Sequence, residues 1–169
     1  MNSALQAWNA TDAATALDAM IACCAARRWA AAMVALRPIA GVFELSEAAD
    51  RIWSTMDESD WMEAFAAHPR IGDRKPAHAT AKSSAWSTQE QSSTNSAAEK
   101  VLEELAEGNA VYEQHFGFTY IVCATGKSAD EMLAILNRRL SSDRASELRE
   151  AAEQQRQITQ IRLGKWLIE

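Results

Sequence analysis

The sequence predicts an all-α protein, a single domain over residues 1–169 that folds as a compact bundle of about seven to nine helices. Apolar residues make up 48% of the chain and alanine is abundant, whereas glycine occurs six times and proline three times. This composition favours close-packed helices over disorder. Apolar side chains also recur at three- and four-residue spacing along most of the chain, which is the helical period. The length suits one domain whose core needs no disulfide or metal.

The charge of the chain argues against several classes of partner. The formal net charge is −6, so we expect no binding to nucleic acid or to an anionic membrane surface. No run approaches the ~20 apolar residues of a membrane helix, and the N-terminus lacks a basic segment followed by an apolar one. We therefore expect a cytoplasmic protein that acts on a small molecule.

Cysteine and histidine spacing gives no sign of a metal or redox site. Cys23 and Cys24 lie in an alanine-rich stretch and form no C-x-x-C pair with Cys123, which favours packing roles. The three histidines are too scattered to indicate a zinc site. We expect neither a metal nor a cofactor.

The first third of the chain predicts helices separated by short breaks. Asn9 or Thr11 can cap a helix that runs through Cys24, and the stretch from Arg27 to Leu36 continues helically until Pro38 prevents extension.

The next two helices are predicted from caps and spacing. Ser46 is a candidate cap for a helix in which apolar residues recur at positions 49, 52, 53 and 56. Asp57 or Ser59 then begins a short helix that ends in an ionisable side chain, His68.

His68 is the first candidate functional residue. Pro69 disfavours helical backbone at the residue before it, which places His68 in the last turn of its helix. A helix C-terminus favours the protonated imidazole and burial favours the neutral one, so such a ring can exchange a proton near neutral pH. A histidine that only closes the helix is the alternative.

The composition changes between residues 73 and 96, where Lys, Ser, Thr and Ala replace large apolar side chains. So long a polar stretch is unusual in a compact domain unless it is functional, and we expect part of it to order around a site. Ser87 and Glu90 match a helix-starting capping box, so Glu90 is either a cap or a catalytic group.

A long helix and an extended connector follow. One stripe of the helix carries Leu102, Leu105, Asn109, Tyr112 and Phe116, and Gly117 ends it. Residues 118–124 have strand propensity but no partner strand. We interpret them as a buried connector whose backbone groups are free to bind a ligand.

Two arginines lie on apolar faces of the last helices. Ser128 caps a helix in which Arg139 suggests a structural ion pair. The final helix extends from about Ser142 to Leu167, and its interior ridge places Arg162 between Ile158 and Trp166. A guanidinium in the interior needs an anionic partner, either a protein carboxylate or a ligand.

Four segments occur in order along the chain: HPRIGD (68–73), STQEQ (87–91), NAVYEQHFGF (109–118) and ITQIRL (158–163). In this order and with these separations they resemble the 2-oxo-4-hydroxy-4-carboxy-5-ureidoimidazoline (OHCU) decarboxylase family of purine catabolism. The resemblance covers residues 5–168 and rests on the ordered set. It implies cofactor-independent decarboxylation of OHCU to (S)-allantoin in urate degradation, and a homodimer.

The resemblance also implies roles for individual residues. His68 and Glu90 are implied as a catalytic pair in which Glu90 orients the ring and His68 takes the proton of the substrate hydroxyl. The implied substrate-binding residues are Pro69, Ser87, Gln91, Phe118, Ile121 and Arg162. Two alternatives remain: a helical interaction module whose exposed tryptophans bind a partner helix, and a family member that has kept the fold but has lost the activity or acts on another ureido acid.

Overall fold

The computed structural model describes residues 2–70, 82, 86 and 99–169. Within these residues it contains helices with defined bounds and no strand, so the all-α prediction is confirmed there. The eight helices are α1 (Ser3–Ala10), α2 (Ala13–Cys23), α3 (Arg27–Ala35), α4 (Val42–Trp53), α5 (Glu58–Ala66), α6 (Glu99–Phe116), α7 (Ala129–Arg139) and α8 (Arg144–Trp166).

The chain divides into two compact units. The terminal unit comprises Met1–Ala64 and Arg156–Glu169, and the central unit comprises Phe65–Gln155. Residues of α8 up to Gln155 therefore belong to the central unit and later ones to the terminal unit. A single folding domain over residues 1–169 stays a prediction.

The N-terminal part of the terminal unit holds two helices where one was predicted. The Asn2 side chain accepts the N–H of Leu5 (3.0 Å) and caps α1, and Asp12 accepts the N–H of Thr15 (2.9 Å) and caps α2. Thr11, a predicted cap, instead ends α1 in extended backbone. The prediction missed the break because the alanine-rich sequence keeps its apolar spacing across it.

The start of α4 was also predicted wrongly. The helix begins at Val42 after Gly41, and Ser46 lies inside it, where its hydroxyl donates to Oε1 of Gln160 (2.8 Å). A serine within a helix satisfies its hydroxyl elsewhere, so its type alone does not locate a cap. Asp57 is confirmed as the residue that starts α5, because it accepts the N–H of Ser59 (2.9 Å).

Tryptophans build much of the core of the terminal unit. The indole N–H of Trp8 donates to the carbonyl of Ala16 (2.9 Å), and that of Trp29 donates to the carbonyl of Ala49 (3.1 Å). None of the six tryptophans of the chain is exposed. A partner-binding surface of exposed tryptophans is therefore absent.

The central unit packs α6 against α7 and the connector. A Cβ at Gly108 of α6 would lie 2.5 Å from Cδ2 of Leu136, so a larger residue there would force the leucine side chain of α7 to shift. Gly117 adopts φ +83° and ends α6 as predicted. Around the connector the buried aromatic rings are Phe65, Tyr112, Phe116, Phe118 and Tyr120.

Candidate functional site

His68 lies directly beyond the C-terminus of α5. The helix ends at Ala66, and the backbone N–H of His68 donates to the carbonyl of Phe65 (3.0 Å), which closes a final turn. The ring therefore lies two residues past the last helical residue, whereas the last turn of the helix was predicted. Its side chain is half-buried, as is the neighbouring Pro69.

The imidazole is held by a glutamine that the sequence analysis did not identify. Nε2 of His68 lies 2.6 Å from Oε1 of Gln155, which is on α8 and fully buried. Both residues belong to the central unit. The sequence did contain a signal for Gln155. It follows Ala151 by four residues and precedes Ile158 by three, so it lies on the apolar face of its helix. A polar side chain buried on such a face usually has a hydrogen-bond partner.

The segment that carries His68 is also tied to α6. The guanidinium of Arg70 donates from Nε to Oε1 of Glu113 (2.8 Å), and a second hydrogen bond joins Nη2 to Oε2. The hydrogen bond from Arg70 lowers the pKa of Glu113, which stays ionised. This bidentate pair limits the movement of the two residues that follow the imidazole.

The connector carries two predicted substrate-binding residues, Phe118 and Ile121, and both are buried. Its extended, strand-free backbone was predicted, but part of that backbone is occupied by the protein itself. The carbonyl of Ile121 accepts from Nη1 of Arg139 (2.6 Å), and the N–H of Cys123 donates to Oε1 of Gln154 (2.8 Å). The expectation that these groups are free for a ligand is therefore wrong at these positions.

A buried charged network lies behind the connector. Nε of Arg139 donates to Oε1 of Glu147 (2.6 Å), and the hydroxyl of Tyr112 donates to the same oxygen. The Arg139 guanidinium also stacks 5.0 Å from the ring centroid of Tyr120. Burial raises the pKa of Tyr112, and the hydrogen bond to Glu147 raises it further, so the hydroxyl keeps its proton. The predicted structural ion pair of Arg139 is confirmed.

Arg162 lies in the terminal unit. It is 3% exposed, and Ile158 and Trp166 are also buried, as the interior ridge predicted. The charge of the guanidinium acts on the pKa of the Cys24 thiol. Burial raises the pKa of the Cys24 thiol to about 11, while a hydrogen bond with Thr159 and the charge of Arg162 act in the opposite direction. Cys24 is thus a neutral packing residue beside the arginine.

Several predicted site residues lie outside the described residues. These are Ser87, Glu90 and Gln91, together with the capping box that the first two would form. In the part of the chain that the structure describes, no group of three or more His, Cys, Asp or Glu side chains is arranged to hold a metal ion. No described helix is long and apolar enough to cross a membrane.

The helices and the buried polar side chains define an all-α protein with a histidine-centred candidate active site. The model of the OHCU decarboxylase family matches residues 9–164 of the chain. The chain therefore belongs to the OHCU decarboxylase family.

Solved structures agree with this assignment. A crystal structure of OHCU decarboxylase in the presence of (S)-allantoin superposes with a TM-score of 0.77 at 33% identity and covers 90% of this chain and 99% of that one. A crystal structure of (S)-allantoin synthase superposes with a TM-score of 0.71 over 96% of this chain and 53% of that one. Its 19% identity supports the fold alone.

Curated relatives include longer proteins. The uric acid degradation bifunctional protein TTL of Arabidopsis thaliana is 36% identical over 146 residues, which are 85% of this chain and 44% of the relative. The OHCU decarboxylase of Haloferax volcanii is 25% identical over 130 residues, 76% of this chain and 74% of the relative. The chain thus spans less than half the length of the Arabidopsis protein.

Proposed function

We propose that the chain catalyses the cofactor-independent decarboxylation of OHCU to (S)-allantoin in urate degradation. The observation that carries this proposal is the 33% identity, over 90% of the chain, to an OHCU decarboxylase whose structure was determined in the presence of (S)-allantoin. Membership of the family supports it independently.

The chemistry of OHCU requires little beyond positioning. Its carboxylate is attached to a carbon beside a C=N bond, so the electrons freed when the C–C bond breaks flow into the neighbouring imine. The enzyme must hold the anion, manage the proton of the hydroxyl on the same carbon, and protonate one face of the enol that remains after carbon dioxide leaves, so that one enantiomer of allantoin forms. Oriented acid–base groups and fixed charges perform these tasks.

In this proposal His68 takes the hydroxyl proton, and Glu90 supports the ring. The half-buried setting of His68 and its hydrogen bond to a buried glutamine support an oriented acid–base group. If Glu90→Gln lowered stability but left turnover per folded molecule unchanged, Glu90 would be only a helix cap.

The remaining proposed residues bind the substrate. Phe118 and Ile121 lie in a connector that Arg139 and Gln154 hold by its backbone, which suits side chains that must present a fixed surface. Pro69, Ser87 and Gln91 are also proposed to bind the substrate, from the family resemblance alone. Arg162 is proposed to bind an anionic group, since its planar fork matches a carboxylate or the paired oxygens of a ureido ring.

The location of the protein and its oligomeric state are also proposals. We propose a cytoplasmic homodimer that binds no nucleic acid, in keeping with the net charge of −6. Sedimentation that gave only a monomer at micromolar concentration would contradict the dimer. A family member that acts on another ureido acid is the remaining alternative.

The test is to add the purified protein to freshly generated OHCU. Absorbance measures the decay of the substrate, and circular dichroism measures the handedness of the product, with a protein-free sample as the control. We expect decay faster than the spontaneous reaction and a single enantiomer of allantoin. A spontaneous rate with a racemic product would contradict the proposal, and turnover of a different ureido acid instead would favour the alternative.

A further inference from the structure

We infer that Gln155 is a positioning residue that determines which ring nitrogen of His68 carries the proton. This inference rests on the proposed function, because it assigns the basic nitrogen of the proposed catalytic histidine. The two residues are 87 positions apart in sequence and meet only through the packing of the central unit.

The atoms of this hydrogen bond show which group donates and which accepts. Nε2 of His68 lies 2.6 Å from Oε1 of Gln155, and an amide carbonyl oxygen can only accept. With the amide oriented so that its oxygen faces the ring, Nε2 carries the hydrogen. In the neutral imidazole the lone pair is then on Nδ1, which makes Nδ1 the nitrogen that takes the hydroxyl proton of the substrate.

The setting of Gln155 makes it suited to this role. Its side chain is fully buried on the longest described helix, whereas His68 lies just past the end of a shorter one. A carbonyl held on a helix within a low-dielectric interior gives a hydrogen bond that is both oriented and strong. The ring is thereby held in one tautomer before any substrate binds.

Gln154, the residue before Gln155, binds the connector. Gln154 accepts the N–H of Cys123 (2.8 Å), while Gln155 accepts from His68. One turn of α8 therefore holds both the proposed base and the connector that carries Phe118 and Ile121.

The experiment is hydrogen–nitrogen NMR of the substrate-free protein labelled in its histidines, at a pH where the ring is neutral. Such spectra distinguish a protonated Nε2 from a protonated Nδ1. The protein has three histidines, and the spectrum of His68→Asn assigns the signal of His68. We expect the wild-type ring to carry its proton on Nε2.

Substitutions of the two glutamines complete the test. Gln155→Leu removes the acceptor, so we expect the tautomer population to move toward Nδ1–H and kcat to fall at least ~10-fold with a smaller change in KM. Gln155→Glu keeps an acceptor and should retain the Nε2–H signal. Gln154→Leu is the matched control, because Gln154 bonds Cys123, and it should leave the tautomer of His68 unchanged.

Two results would overturn the inference. One is a wild-type ring protonated on Nδ1, which is decisive even if Gln155→Leu fails to fold. The other is a folded Gln155→Leu protein with the wild-type tautomer and kcat. The proposed function fails by a separate result, a wild-type protein that does not accelerate OHCU decay, and the NMR measurement involves no substrate.

Discussion

At the scale of single residues, His68 is placed by local features and oriented by distant ones. The end of α5 and Pro69 determine where the ring emerges from the chain, and Gln155 determines its direction. The hydrogen bond gives the ring a buried partner. A catalytic role for His68 stays a prediction beside the alternative that the residue only closes the helix.

Replacement of the ring tests its role directly. We expect His68→Asn to fold normally and to lose at least ~10²-fold in turnover, because a positioned acid–base group contributes roughly 10²–10⁴-fold. The measurement is the rate of OHCU decay per folded molecule. His115→Asn is the control, since His115 is exposed on α6 and should leave the rate unchanged. Wild-type turnover in His68→Asn would remove His68 from the mechanism.

Arg162 offers a second test at this scale. A lysine keeps the charge but not the planar fork, so we expect Arg162→Lys to fold and to bind allantoin at least ~10-fold more weakly, a loss of about 1.4 kcal/mol. Calorimetric titration measures the affinity. Arg149→Lys, an exposed position on the same helix, is the control. Unchanged affinity with a lowered melting temperature would make Arg162 a structural residue.

At the scale of elements, the buried network of Arg139 joins α6, the connector, α7 and α8. The arginine bonds the carbonyl of Ile121 and the carboxylate of Glu147, which also accepts from Tyr112. Arg139 thus binds one carbonyl of a connector that pairs with no strand among the described residues, and Gln154 binds the N–H of Cys123. The connector can remain extended and buried for this reason.

Removal of this arginine should destabilise the protein strongly. Arg139→Met leaves Glu147 buried without its cation, and we expect a loss of about 3 kcal/mol or more in the free energy of unfolding. Urea denaturation measures it. Arg138→Met is a matched control, because Arg138 is the exposed neighbour and should change stability by less than about 0.5 kcal/mol. Equal stabilities of the two variants would contradict the role assigned to the network.

At the scale of the whole molecule, carboxylates at the starts of helices make the stability of the fold depend on pH. The pKa values of Asp12, Asp57, Glu131 and Asp143 are all lowered by hydrogen bonds from the first turn of a helix or from nearby side chains. Hydrogen bonds from Ser59 and Arg28 lower that of Asp57 to about 2, from an ordinary value of 3.8. The folded protein therefore binds fewer protons than the unfolded chain in this acidic range.

Stability should consequently fall on acidification. A depressed carboxylate pKa stabilises the fold fully above its unfolded value, and the contribution is lost as the pH falls through the folded value. We expect the urea midpoint to be constant just above pH 5 and to decrease between about pH 4 and about pH 2. Asp57→Asn, which can still cap but cannot titrate, should show a smaller decrease. An unchanged midpoint across this range would contradict the prediction.

Features that depend on neighbouring residues could be predicted from sequence. Ser128 was predicted as a cap, and it forms a complete capping box with Glu131. Gly117 was predicted to end its helix, and it does so at positive φ. Ser46 was predicted wrongly because a capping side chain is common inside helices too, and only the backbone shows which of the two applies. Local chemistry therefore limits the candidates for a helix start without selecting one.

The sequence by itself determined the all-α class, the family and the place of His68 beside Pro69, because helical period, ordered motifs and proline geometry act over a few residues. Only the tertiary structure decided that Gln155 holds the ring and that Arg139 and Gln154 occupy the connector backbone. The physical reason is that a hydrogen-bond partner is chosen by the packing of distant segments. Many side chains could serve as acceptors, and their spacing along the chain does not indicate which one the fold brings within reach.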